Sequence, residues 1–281
     1  MKLIVEAGST KTQSALIGPG DLLYEYHDSP GINPVTDPDY EVAISELVTP
    51  FLEKNIESIF YYGSGCINDE VKEGVRTSLK KYWSHPMNIE VSEDLIAAAR
   101  GLCQKQEGLV AILGTGSNIG WYDGVRIVKK VHSSGYLLGD EGSGFRLGQI
   151  IYRNLVREIL PLTISQRIEE ELNINSKNAI QTLYTQSNPR QFLASFARYV
   201  KMMNHDDTAK IMHEVFQPFV ERMLQPLLVN KKQEVHLAGS IAFHFKDDIR
   251  YILEKFNIIA ASIEQSPIEG LKRFHRYERR D

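Results

Sequence analysis

LIVEAGSTKT, residues 3–12, reads as a strand running straight into a small polar turn. Leu3, Ile4 and Val5 are an apolar run of β-formers, a carboxylate follows at Glu6, and Gly8, Ser9, Thr10 and Lys11 come next. Glycine lets a backbone approach a phosphate closely, hydroxyls and amides donate hydrogen bonds to its oxygens, and a lysine adds positive charge. A string this short is equally the turn of an ordinary hairpin. What separates the two readings is a second copy of the same device. At Gly108 the pattern restarts: residues 109–113 are an apolar strand, Gly114, Thr115, Gly116, Ser117 and Asn118 form another small polar turn, and strands at 119–122 and 125–131 follow around an AspGly hairpin turn.

The rest of the chain extends the duplication. After the first turn, residues 13–17 and 22–27 are expected as strands joined by a hairpin turn at 18–21. A turn-rich loop covers 29–38, and a helix begins near Pro38 with Asp37 as its cap and Pro50 as a kink. A buried strand at 58–62 ends in GlySerGly, a helix carries Val71, Val75, Leu79 and Tyr82 on one face, and a strand at 88–91 leads to the helix opened by SEDLIAAARGL. In the second half, a glycine-rich loop spans 133–144 and a helix runs from about 146 to 158. Further helices extend to 229 with apolar faces at Phe192, Phe196 and Val200 and at Ile211, Val215 and Phe219. A strand at 235–238 ending in Gly239 and Ser240, a helix, a strand at 258–261 and a terminal helix from Ile268 close the chain. Each half is thus a hairpin meander, a strand ending in a GlySer turn, a helix, a strand and a helix. The expected division is an N-terminal lobe at 1–105 and a C-terminal lobe at 106–281, with a helical insertion at about 146–230. Two such α/β lobes, each opening on a turn that can hold phosphate, imply a nucleotide cleft between them.

Composition is that of an ordinary globular protein. At 281 residues, with 42% hydrophobic and 24% charged side chains, the chain is long enough for two cored domains. A net charge of −4 provides no basic field for nucleic acid or an anionic membrane, and the cationic run at 272–280 reads as the end of a terminal helix. Cys66 and Cys103 are too few for a disulfide scaffold, a four-thiolate metal site or a shared iron–sulfur cluster, which predicts a reduced, cytoplasmic protein. The opening strand lacks the features of a signal peptide, and no apolar run approaches the length of a membrane helix.

VEAGSTKT, GINP, SEDLIAAA, LGTGSN, GYLLGDEGSG and LAGSIA, in this order and spacing, resemble the sugar kinase, Hsp70 and actin superfamily, and within it the N-acetylglucosamine kinase branch grouped with BadF and BcrA type ATPases. The pairing of LGTGSN with GDEGSG is the more specific part. The resemblance implies duplicated ribonuclease H-like (actin-like ATPase) lobes and a kinase that uses ATP and Mg²⁺ to phosphorylate N-acetylglucosamine or a related amino sugar at its 6-hydroxyl. An enzyme of this kind has small-molecule partners, the sugar and ATP, and can be a homodimer. The alternative is a sugar- or nucleotide-binding sensor of the same fold without kinase turnover.

Carried onto this sequence, the resemblance makes Asp94 the catalytic base, in the first turn of a helix whose dipole favours its ionised form. Gly8, Ser9, Thr10 and Lys11 match the first phosphate loop, Thr115, Gly116, Ser117 and Asn118 the second, and Gly239 with Ser240 the adenosine turn. Asn33, Asp94, Thr115, Gly116 and Asp140 match sugar contacts, suited to hydroxyls that both donate and accept. Glu6, where many superfamily members carry Asp, is the candidate for holding Mg²⁺ through water.

Overall fold

The computed structural model describes residues 1–18, 23–228 and 234–276. Most of the expected hairpin turn at 18–21, the expected first residue of the following strand, Leu22, and the last part of the cationic run, 277–280, lie outside them. Strands β1 (Lys2–Ala7), β2 (Lys11–Ile17), β3 (Leu23–Pro30), β4 (Ser58–Gly63) and β5 (Asn88–Glu93) form one sheet in the order β3-β2-β1-β4-β5. β6 (Gly108–Leu113), β7 (Ser117–Tyr122), β8 (Ile127–Lys130), β9 (Glu234–Ala238) and β10 (Ile259–Glu264) form a second, in the order β10-β9-β6-β7-β8. Read from the meander outward, both orders are third, second, first, fourth and fifth strand. The internal repeat inferred from the two glycine turns is therefore a repeat of topology.

In the first sheet β1 runs antiparallel to β2, with Val5 opposite Ser14, and parallel to β4, with Val5 opposite Tyr61. Successive side chains of a strand face opposite ways. Leu3, Val5 and Ala7 accordingly pack with Ile44, Leu47, Val75 and Leu79 of the helices Tyr40–Val48 and Asp69–Lys80. Ile4 faces the other way, with Phe60, Tyr62, Ala97, Ile268 and Leu271. Glu6 shares the parity of Ile4, so it projects on the face covered by the helices Asp94–Cys103 and Ile268–Arg276. Strand alternation thus carries the carboxylate to the end of a largely apolar core.

The terminal helix belongs to this first compact unit, which comprises residues 1–108, 122–128 and the segment from Ser266. The second comprises 109–121 and 129–265. Sequence order alone assigns the terminal helix to the C-terminal lobe, whereas its apolar stripe, Ile268 and Leu271, packs with Ile4, Phe60 and Tyr62 of the first sheet. His275, fully buried, stacks on Phe60 at 3.8 Å and shares a 2.8 Å hydrogen bond between Nε2 and the Tyr62 hydroxyl. Tyr62 therefore has a polar role in addition to the packing that its sequence context predicts.

In the second unit, Leu109, Ala111 and Leu113 of β6 and Val235 and Leu237 of β9 share a core with the inserted helices. Phe196, Val200, Ile211, Val215 and Phe219 are all buried in it, as their periodicity predicts, while Phe192 is partly buried at its margin. Several local boundaries differ, most strands by one to three residues and three helical segments as follows. The glycine-rich loop contains a helical turn, Gly135–Leu138. The next helix begins at Gly144 and not Arg146, because the buried Ser143 hydroxyl accepts the Arg146 amide at 3.2 Å and caps it. The helix near Pro38 begins later, at Tyr40, because the Asp37 carboxylate accepts the Asp39 amide at 3.0 Å in a preceding turn. No helix among the described residues is long and apolar enough to cross a membrane, and both cysteines are buried and unpaired.

Candidate functional site

In the first unit, residues 8–11 form the tight turn joining β1 to β2, closed by the Gly8 amide donating to the Lys11 carbonyl at 3.0 Å. The GINP segment packs directly against it. The Gly31 amide donates to the Thr10 carbonyl and the Ile32 amide to the Gly8 carbonyl, both at 3.1 Å. A Cβ on Gly31 would lie 2.4 Å from the Thr10 nitrogen, so only glycine fits beside the turn. The Ser9 hydroxyl meets that of Ser64, from GlySerGly after β4, at 2.9 Å. Asn33 is buried: its side-chain oxygen accepts the Val35 amide at 3.0 Å and its amide reaches the Ser9 hydroxyl at 3.4 Å. Lys11 is compensated by Asp28, with 2.9 Å between Nζ and Oδ2, and this ammonium is the main cause holding the Asp28 carboxyl below its usual range.

Asp94 is the first residue of its helix, immediately after Glu93 as N-cap. Here strand alternation and helix placement converge, because Asp94 and Glu6 influence each other electrostatically. Burial and, next, the charge of Asp94 push the Glu6 carboxyl up to about 7, against a smaller opposing effect of the Ser266 hydroxyl, which donates to Oε2 at 3.5 Å. Two acids that feel each other's charge, both only partly exposed, suit a cation. Among the described residues no group of three or more His, Cys, Asp or Glu could hold a metal. One or two carboxylates nevertheless suit Mg²⁺, which keeps several waters and takes its other ligands from phosphates.

In the second unit, residues 114–116 join β6 to β7, and Ser117 and Asn118, expected in the turn, are the first residues of β7. The Gly114 amide donates to the Gly116 carbonyl at 2.9 Å, and the Phe145 amide to the Thr115 carbonyl at 3.1 Å. Asp140, buried and with a left-handed φ of 60°, lies over this turn. Its Oδ1 accepts the Ser117 amide at 3.4 Å, and its Oδ2 accepts Arg190 Nη2 at 2.9 Å. Asn118 turns its side-chain oxygen to the Ile119 amide at 3.0 Å, and Glu141 pairs with Arg222 at 3.5 Å. Gly239, with φ 111°, follows β9, and a Cβ there would lie 2.4 Å from the Leu113 carbonyl oxygen. Ser240, exposed, opens the next helix.

A Porphyromonas gingivalis structure provisionally named an N-acetylglucosamine kinase matches with a TM-score of 0.87 and 30% identity, over 99% of this chain and 99% of that one. The chain belongs to the N-acetylglucosamine kinase branch of the sugar kinase, Hsp70 and actin superfamily. Two more distant members of the superfamily share the fold. A Chromobacterium violaceum structure, also provisionally named an N-acetylglucosamine kinase, has a TM-score of 0.70 at 15% identity and covers 97% of this chain and 98% of its own. A Streptomyces griseus ROK family glucokinase, solved with glucose and AMPPNP, has 0.56 at 14%, covering 96% of each. No family model matches the chain, and no curated protein sequence matches it significantly.

Three groups around these residues escape the family motifs: Ser64, Ser266 and Arg190. Ser64 lies in a GlySerGly string read only as the end of a strand. Ser266 has a local signature, because Ser266 with Glu269 has the spacing of a helix-capping box, and its hydroxyl accepts the Ile268 amide at 3.2 Å. Arg190 also left a signal, since a cation directly after Pro189 at a helix start opposes the helix dipole and calls for a nearby anion.

The raised Glu6 pKa has a measurable consequence for stability. A folded value near 7 against 4.5 in the unfolded chain means that the folded state holds the extra proton between these values, so stability falls as pH rises from 4.5 through 7 and stays lower above. Glu6→Gln is expected to stabilise the ligand-free protein by about 2–3 kcal/mol at pH 8 and to lose most of that gain at pH 5. Urea unfolding at the two pH values checks this; an equal effect at both contradicts the assignment.

Proposed function

We propose that this chain is an ATP-dependent kinase that transfers the terminal phosphate to the 6-hydroxyl of N-acetylglucosamine or a related amino sugar. The observation that supports it most strongly is the Asp94 and Glu6 pair, on the covered face of the first sheet, in a chain 30% identical over its full length to a provisional N-acetylglucosamine kinase. Asp94 accepts the proton of the attacking hydroxyl, which raises the nucleophilicity of the oxygen as its bond to phosphorus forms. Phosphoryl transfer otherwise asks for positioning and charge neutralisation, and residues 8–11 and 115–118 offer backbone and hydroxyl donors for phosphate oxygens. Gly239 and Ser240 leave a bare backbone for the adenosine. Asn33, Asp140, Thr115 and Gly116 are the sugar contacts in this reading. Glu6 would hold Mg²⁺ through water, and when bound the ion supplies charge neutralisation at the phosphates.

A coupled assay of ADP release over hexoses, hexosamines and N-acylated hexosamines tests the proposal. The expected result is stimulation by N-acetylglucosamine or a close amino sugar, and loss of that stimulation when the 6-hydroxyl is absent. ADP release that no sugar stimulates overturns it in favour of a sensor of the same fold.

A further inference from the structure

Arg190 lies fifty residues from Asp140 in the chain, on the short helix Pro189–Ser195 of the inserted region, yet it contacts three parts of the acceptor side. Its Nη2 donates to Asp140 Oδ2 at 2.9 Å. Its guanidinium lies over the Tyr136 ring, 5.9 Å from the centroid, while that ring meets Phe145 edge-on at 5.2 Å. It also lies against Gly116, where a Cβ would be 2.0 Å from Nη2 and would displace the tip of the Arg190 side chain. We propose that Arg190 is a positioning residue for the acceptor sugar, holding the Asp140 carboxylate in one orientation over residues 115–118. The inference rests on the sugar kinase reading given above.

The chemistry of the carboxylate gives the arrangement its purpose. A carboxylate oxygen offers two lone-pair directions. Arg190 occupies one on Oδ2 and the Ser117 amide one on Oδ1, so each oxygen keeps a direction for a further donor. Two adjacent hydroxyls of a pyranose are donors of matching spacing, and a carboxylate with a fixed plane distinguishes their orientation. The segment carrying Asp140 needs such support, because Asp140 itself adopts φ 60°, a conformation that disfavours residues with a side chain. Arg190 holds it at both ends, through Tyr136 and through Asp140. The Arg190 Nε is buried without a partner among the described residues, so protein groups do not use all its donors.

Two measurements on Arg190→Gln and Arg190→Lys test the proposal. Steady-state kinetics of the Gln variant are expected to show an acceptor KM at least tenfold higher, kcat within about threefold and the KM for ATP within twofold, with Lys recovering part of the acceptor KM. Amide hydrogen exchange of the ligand-free protein is expected to speed up at residues 136–140 in the Gln variant. An acceptor KM within twofold of wild type, a parallel change in both KM values, or unaltered exchange at 136–140 overturns it. If no sugar stimulates the wild-type chain, the kinase reading fails by itself, and hydrogen exchange still decides whether Arg190 holds this segment.

Discussion

Asp94→Asn is expected to lower the rate of sugar phosphorylation by about 10³-fold, within the range typical of a lost general base, with ATP affinity changed by less than about twofold. Asn keeps the shape of the side chain and its place at the helix start but cannot take a proton. The substitution removes both the charge that helps push Glu6 up and the favourable interaction of that charge with the helix dipole, two opposing effects, so the stability should change by no more than about 1 kcal/mol. This separates chemistry from folding: a slower reaction in a chain of nearly unchanged melting temperature is the signature of a base. Isothermal titration with a non-hydrolysable ATP analogue and the coupled assay supply the two readings. An undiminished rate in the variant sinks the assignment of Asp94.

Gly270→Ala should lower stability by about 3 kcal/mol or more, at the upper end of what overpacking costs. Helix propensity alone points the other way, because alanine favours a helix interior over glycine by about 1 kcal/mol. The contact decides the sign. A Cβ on Gly270 would lie 1.9 Å from the Gly101 carbonyl oxygen, and one on Gly101 would lie 2.7 Å from Pro267, so the terminal helix and the Asp94–Cys103 helix meet through bare backbone. The Gln104 side-chain amide binds the crossing, donating to the carbonyls of Gly101 and Gly270, each at 3.0 Å. Backbone cannot rotate away as a side chain can, so the helices must separate. Because the displaced partner carries Asp94, activity should fall with stability. Urea unfolding gives the measurement, and a variant as stable as wild type would show that the helices do not cross here.

Much of the candidate site was legible in the chain because it is built from local rules. Strand alternation from Leu3 to Ala7 places Glu6 with Ile4, and a strand ending at Glu93 before an alanine-rich helical run places Asp94 at a helix start. The turns at 8–11 and 114–116 were visible because glycine and small hydroxyl residues mark a backbone that must bend, although Ser117 and Asn118, expected in the second turn, open β7. The duplicated strand order was legible for the same reason, since each half repeats the same sequence of short-range choices. Asn33 shows the boundary: its Asx turn to Val35 is local, whereas its contact with Ser9 closes a gap that the sequence does not display.

The amino-acid sequence by itself thus determined two similar α/β halves, the turns that open them, and the places of Glu6 and Asp94 at the ends of their strands. Only the tertiary structure decided which distant groups complete those places. Ser266 reaches Glu6 across 260 residues, Arg190 reaches Asp140 across 50, and Gly270 rests on Gly101 although the two helices open and close different parts of the chain. Local conformational preference acts over a few residues, so it writes strands, turns and caps into the order of side chains. Charge pairing and steric fit act through space, and they become specific only once packing has brought the partners together.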